Sequence, residues 1–485
     1  MKRKPLFRLV SVLLILLMLL PLLVSCKEET GKEKETTNED EGTVYEGENG
    51  YVLAVNNYNG AAFNVADSSY ATLYVDEESG DSLLDAVYRR NLKVEDLYKI
   101  DLTVIDCSDT EEGFVSTVSA AILSGTDSYN LICSNMGTMA THTLSTGYYQ
   151  NLLDLPYLDF DQPWWPGEVI ESSRIGNRMY GVIGNIDASY YDLFTAILFN
   201  KELAADYPIG DLYQLVRDGA WTLDKLIEYS HLAEIDLDGD GMMDPKIYQF
   251  GLTIHRSYPT HAFVTALGVQ LTDVDEDGIP TILPLSEHYV DVYEKLNDFY
   301  NSSCVDYRKQ DDAADDTAFI EGRALFEGNR MFFASGYRAM ENNFGILPYP
   351  KWDEKQETYR SYCGIEMAPT YAVPISTNGD MAANILDALA YFGDKMILPA
   401  YYDKTLKGKV VRDAESAEML DIIYANAYCD FVQIYASFFN TAPSTMLASS
   451  IRWGTKLSRE FAGEKRALEA KMKQLIEMLD VQGEE

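Results

Sequence analysis

The chain has 485 residues, 47% of them hydrophobic, with 77 Asp and Glu against 39 Lys and Arg and a net charge of −38. So acidic a surface is repelled by phosphate backbones and anionic lipid, which excludes nucleic acid as a partner. The length allows two or three domains with sizeable cores, and beyond the first 25 residues no apolar run is long enough to span a bilayer.

Lys2, Arg3, Lys4 and Arg8 precede an apolar run over 9–24. Basic residues followed by a run shorter than the ~20 residues of a spanning helix read as a secretory signal. The run closes on Leu23-Val24-Ser25-Cys26, which resembles the bacterial lipobox. That resemblance implies a signal peptide over 1–25 and a Cys26 thiol that takes a diacylglyceryl group with palmitate-type chains. Losing the four basic residues of the signal takes the charge from −38 to −42. Residues 26–50 are charged and rich in Thr and Gly, with few large apolar side chains. They read as a flexible tether with a reach of about 27 Å.

The body alternates strand and helix. A short strand is expected at 51–55, a helix at 82–98, a strand at 101–105, a helix at 114–123 and a strand at 129–133. That order predicts a parallel sheet with crossover helices, and the loop after its last strand (Ser134, Asn135, Met136) lies at the carboxyl end, where open α/β sheets bind ligands. Further on come a strand at 196–200, a helix after Trp221 with Thr222 as N-cap, a helix at 290–300, and a helix ending near Gly322. Strands follow at 324–333 and 344–347. The last helix, over 464–480, places Leu468, Met472, Leu475 and Leu479 on one stripe.

The loop over 236–244 carries Asp236, Asp238, Asp240 and Asp244 at positions one, three, five and nine, with Gly241 at six. A hard cation wants about seven oxygens, and this spacing can wrap one, so a structural Ca2+ is expected there and no other cofactor. Position twelve is Ile247 rather than a bidentate Glu, so the role would be stability, not sensing. The similar run over 273–278 reads as a hairpin turn. Five cysteines besides Cys26, at 107, 133, 304, 363 and 429, have no short spacings. They read as buried thiols, with a single pair left open. Nucleophile elbows, phosphate loops and zinc-protease motifs are missing, so no enzyme is expected.

Several segments resemble, in order, the maltose-binding-protein-like solute-binding proteins of ABC importers. Asn177-Arg178-Met179-Tyr180-Gly181, Leu198-Phe199-Asn200-Lys201-Glu202-Leu203 and Gly219-Ala220-Trp221-Thr222-Leu223 are similar to motifs of that family. So are Phe319-Ile320-Glu321-Gly322-Arg323-Ala324 and Phe344-Gly345-Ile346-Leu347-Pro348. The resemblance implies a periplasmic-binding-protein type II-like fold, with two discontinuous α/β lobes, a hinge and an interlobe cleft. The first lobe would take 51–182 plus 318–370, the second 183–317 plus 371–485. It implies a monomeric lipoprotein that captures a solute, most often a sugar or oligosaccharide, by hinge closure and passes it to permease subunits. The membrane would be touched through the lipid alone, on the extracytoplasmic face of a Gram-positive cell. By position, Ser134, Asn135, Asn185, Asp187 and Phe332 would meet the ligand, with Trp453 and the Trp164-Trp165 pair as further candidates. Two other readings are a surface glycan-binding adhesin and a polysaccharide hydrolase that works with two carboxylates.

Overall fold

The computed structural model describes residues 35–38, 41–47, 50–107, 110–244, 246–308, 317–334, 336–337, 340–403, 411, 413–439 and 443–482. The expected signal peptide and Cys26 lie outside them. The chain divides into two units, 1–56 and 57–485.

In the first unit β1 (Glu35–Asn38), β2 (Glu41–Glu46) and β3 (Val52–Val55) form an antiparallel sheet. Thr43, Val44 and Tyr45 are strand formers, and they pair with Leu53, Ala54 and Val55. The described part of 26–50 is therefore paired strand where a tether was expected. The strand at 51–55 belongs with β2, not with the first lobe.

The first lobe of the second unit is built on β4 (Ala61–Asp67), whose Phe63 and Val65 are buried. Parallel neighbours flank it, β5 (Ile100–Asp106) on one side and β6 (Leu131–Asn135) on the other. Helices α1 (Ser82–Tyr98) and α2 (Glu111–Leu123) make the crossovers, and α3 (Met136–Ser145) starts directly after β6. Asp81 caps α1 by accepting from the backbone N–H of Leu83 and Leu84.

The second lobe holds β7 (Thr195–Asn200), buried throughout, followed by α4 (Leu223–Leu232). Next come β8 (Ile235–Asp236), β9 (Tyr248–His255) and the β10–β11 hairpin (Thr272–Val274, Pro280–Ile282). Then α5 (Glu287–Tyr300), β12 (Val305–Arg308), β13 (Ala324–Arg330) and β14 (Phe344–Leu347) complete the set. The sheet order is β12-β9-β13-β7-β14, with β8 beside β9. Trp221 is fully buried under it, its Nε1 donating to the Pro348 carbonyl at 2.9 Å. Thr222 occupies the N-cap of α4, but its side chain makes no capping bond; the Leu223 N–H is held at the Lys351 carbonyl, 2.8 Å away.

The chain then returns to the first lobe. β15 (Pro369–Ala372) pairs antiparallel with β6, and α6 (Gly379–Phe392) packs on α1. The last helix, α7 (Leu457–Gln482), packs against both α3 and β11 and buries Leu468, Met472 and Leu475. The two-lobed α/β architecture is thus the expected one, but its seams differ. β13 and β14, expected in the first lobe, are hydrogen-bonded to β7 in the second, while 371–392, expected in the second, belongs to the first. An apolar strand pattern marks a strand without naming its sheet; the register with β7 decides.

Gly251 marks the closest approach between α4 and β9. A Cβ there would stand 2.1 Å from the Ser230 carbonyl oxygen, whereas Gly463 in α7 meets nothing within 4 Å. Gly251→Ala should cost about 2 kcal/mol or more in urea unfolding. Gly463→Ala should stabilise by about 0.5–1 kcal/mol.

Candidate functional site

Two cavities share one residue, Tyr70. The larger, about 590 Å3, sits at the carboxyl ends of β4, β5 and β6, lined by Asp67, Ser68, Ser69, Tyr70, Tyr74, Asp106, Thr110, Glu111, Ser134, Asn135 and Thr138 among others. The smaller, about 270 Å3, is lined by Tyr70, Ser189, Asp192, Leu193, Arg330, Phe332 and Met367. It joins the first lobe to the end of β13 in the second, which makes the pair an interlobe cleft. A third hollow of about 690 Å3 includes Ser145, Thr146 and Gln474. It lies at the far end of α3, roughly 15 Å from the strand ends by helical rise, and is not part of this site.

The loop after β4 is shaped by its own polar residues. The backbone N–H and Oγ of Ser69 donate to Asp67 Oδ1 at 2.8 and 2.7 Å, and Ser68 Oγ meets Ser134 Oγ at 2.8 Å. Burial raises the Asp67 pKa, and the Ser69 bonds oppose the rise. With these side chains turned inward, Tyr70 is thrown out, 74% exposed. Asn135 Oδ1 accepts from Thr138 N and Oγ1, at 3.0 and 3.1 Å, so its carbonyl caps α3 while the residue lines the cavity.

Across the cleft, Phe332 is 58% exposed and touches Phe333 edge-on at 5.2 Å. It follows β13 on a short helix, Met331–Ala334, where the sequence suggested strand up to 333. The wall between the lobes is the segment 183–194. Asp192 there accepts from Tyr401 OH at 2.7 Å, and burial raises its pKa.

The expected ligand contacts divide. Ser134 and Asn135 line the larger cavity and Phe332 the smaller. Asn185 and Asp187 are buried beneath the site instead. Asn185 donates to Asp394 at 2.9 Å and accepts from Tyr191 OH at 2.8 Å. Asp187 accepts from both groups of Ser189 and, at 3.0 Å, from Tyr371 OH; burial raises its pKa. Trp453 is exposed under the Arg452 guanidinium, 4.5 Å from its ring centre, and lines neither cavity. Trp164 and Trp165 are core residues: Trp164 donates to Asp387 at 3.0 Å, and a Cβ at Gly184 would fall 2.4 Å from the Trp165 ring. Missed from sequence are Asp67, Ser69, Tyr70, Asp192 and Arg330. The alternation Phe63-Asn64-Val65 ending in Asp67-Ser68-Ser69 was the available signal for the first three.

Among the described residues two groups bring metal-type ligands together. Asp236, Asp238 and Asp240 have carboxylate oxygens within 4.8 Å of one another, with Gly239 and Gly241 N–H donating to Asp236. Three carboxylates suit a hard cation as a partial donor set. Asp244 is not in this group; its Oδ1 accepts from the Lys246 N–H at 2.9 Å. His231 has Glu234 3.8 Å from Nδ1 and Cys304 3.9 Å from Nε2. Different ring nitrogens face the two partners, and Glu234 at 3.8 Å lies beyond hydrogen-bond reach. Burial pushes the Cys304 thiol up to about 11.

No protein-family profile matches the sequence, and no curated protein matches it. Solved structures do match. A cyclo/maltodextrin-binding protein complexed with maltotetraose aligns over 85% of this chain and 97% of its own, at 13% identity and a TM-score of 0.55. The GacH receptor of Streptomyces glaucescens, solved unliganded and with acarbose, aligns over 85% of this chain and 99% of its own, at 16% identity and a TM-score of 0.50. At these identities the similarity establishes the fold, the periplasmic-binding-protein type II arrangement of maltodextrin-binding proteins.

Glu366 lies near the smaller cavity, 3.5 Å from Tyr362 OH. Burial raises its pKa from 4.5 to about 7, with the Arg330 charge opposing weakly. A raised carboxyl pKa gives stability that is complete below about 4.5 and lost as pH rises through about 7. Glu366→Gln should therefore match the wild type in urea unfolding near pH 4.5 and exceed it by about 2 kcal/mol at pH 8.

Proposed function

We propose that this chain is the solute-binding lipoprotein of an ABC importer, that it takes a saccharide into the cleft at Tyr70, and that it works by binding rather than chemistry. The observation that carries the reading is the cleft. A wall of hydroxyls and carboxylates on the first lobe faces an exposed aromatic, Phe332, on the second, with exposed Tyr70 common to both cavities. Sugars offer hydroxyls at their edges and apolar C–H faces, so such a surface matches their chemistry. The fold supports the same reading, since the neighbours it resembles are a maltodextrin-binding protein and a receptor solved with acarbose.

Closure of the lobes over the ligand would be a hinge motion about 183–194 and 361–368, and the closed form would dock on the permease. Acylation at Cys26 would hold the monomer on the extracytoplasmic face of a Gram-positive membrane, close to that permease. A Ca2+ held by Asp236, Asp238 and Asp240 would stiffen the loop between β8 and β9 without entering the binding event.

In a thermal-shift screen at least one oligosaccharide should raise the melting temperature, because a ligand that binds only the folded state stabilises it. Tyr70→Ala and Phe332→Ala should each weaken that ligand about 10-fold or more while the apo protein melts unchanged. A screen in which no saccharide shifts the melt rejects the reading. Cys26→Ala should move the protein from the membrane fraction to the medium; continued membrane retention would count against the anchor. Calorimetric titration with calcium should show heat that the Asp238→Ala, Asp240→Ala double variant lacks, and equal traces would remove the metal.

A further inference from the structure

Arg330 ends β13 at the rim of the smaller cavity. Its guanidinium lies over the rings of Tyr258 and Phe333, with centroid distances of 4.6 and 5.3 Å. Among the described residues that guanidinium makes no hydrogen bond or ion pair; only the backbone N–H of Arg330 is engaged, by Asn329 Oδ1 at 2.9 Å. The side chain is half-buried. A cation withdrawn from water and held on aromatic faces, with its N–H fork unused, is ready for an anion of planar, bidentate shape.

Acidic neighbours do not supply that anion. Glu366 is pushed up to about 7 by burial and is close to half neutral at neutral pH. Asp192 shares the cavity but accepts from Tyr401 OH. Neither forms an ion pair with Arg330. The carboxylates of Asp67, Asp106 and Glu111 line the other cavity, across Tyr70, and none of them pairs with Arg330 among the described residues. Charge farther off on the body is screened over a Debye length of about 8 Å at physiological salt. Closing the lobes over a neutral ligand would strip more water from Arg330 and leave it unpaired, at a cost that an anionic group on the ligand removes.

Building on the saccharide reading above, we propose that the ligand is an acidic saccharide whose ring carboxylate is received by the Arg330 guanidinium, beside an apolar sugar face on Phe332.

The test is calorimetry on the full chain with trimers of galacturonate, glucuronate and mannuronate, each beside its methyl ester, plus maltotriose. At least one acid should bind about 30-fold or more tighter than its own ester, the weight of one charge-assisted pair in a partly buried site. Arg330→Gln should abolish that preference, and Arg330→Lys should restore part of it, with circular dichroism melts confirming that both variants fold. Esters or maltotriose binding as tightly as the acids, or Arg330→Gln keeping the preference, overturns the proposal and leaves the saccharide reading standing. Binding by no saccharide, acidic or neutral, overturns that reading and this one with it.

Discussion

The cleft depends on one buried cation. Arg90 on α1 is 1% exposed, yet its guanidinium reaches three stretches of chain. It donates to the Ile186 carbonyl at 2.7 Å, to Leu389 at 3.3 Å and to Leu73 at 3.4 Å. Its Nε also holds Asn91 Oδ1 at 2.6 Å, and Asn91 in turn donates to Leu73 at 2.9 Å. Burial lowers the Arg90 pKa to about 10, while the nearby Asp187 and Tyr371 oppose the drop. A buried charge is tolerated only when its hydrogen bonds are met. Here they are met by the loop that carries Tyr70, by the interlobe segment and by the end of α6, so the cation ties the Tyr70 loop to the interlobe segment.

The aromatic content has the same division of labour. Of 34 tyrosines, most serve the core or the seam between lobes. Tyr190 meets Phe194 at 5.1 Å, and Tyr191 and Phe194 both meet Tyr424 edge-on at 5.0 Å, packing the interlobe segment onto Tyr424. Edge-to-face contacts of this kind add about 0.5–1.5 kcal/mol each beyond their area burial. At the cleft, Tyr70 and Tyr74, on the stretch after β4, and Phe332, just after β13, turn toward solvent.

Much of the second lobe was readable in advance. β7 and β14 fall within a residue of the apolar runs at 196–200 and 344–347, because strands buried on both faces are continuously apolar. α1 came from its spacing at 82–98. β4 was missed although it is the centre of its sheet: Ala61, Ala62 and Asn64 dilute its apolar pattern, and its burial comes from the two parallel neighbours. β9 was missed for a related reason. Gly251 interrupts its pattern, and that glycine is needed because Ser230 leaves no room for a side chain.

The candidate site followed the same logic. Ser134 and Asn135 line the larger cavity from the end of β6, an apolar strand expected at 129–133 and observed at 131–135. Phe332 lines the smaller one from the short helix after β13, which ends at Arg330 where strand was expected to 333. Asp67, Tyr70, Asp192 and Arg330 were missed, since nothing local distinguishes them from other polar or aromatic residues. Asn185 and Asp187 had the right neighbourhood and the wrong direction. By itself, the sequence determined the alternation of strand and helix and with it the α/β class, since periodicity is a local property of the chain. Which sheet each strand joins, and which side chains face the cleft, was decided only by tertiary structure. Pairing β13 between β9 and β7 and anchoring three distant segments on Arg90 are contacts between residues far apart in sequence.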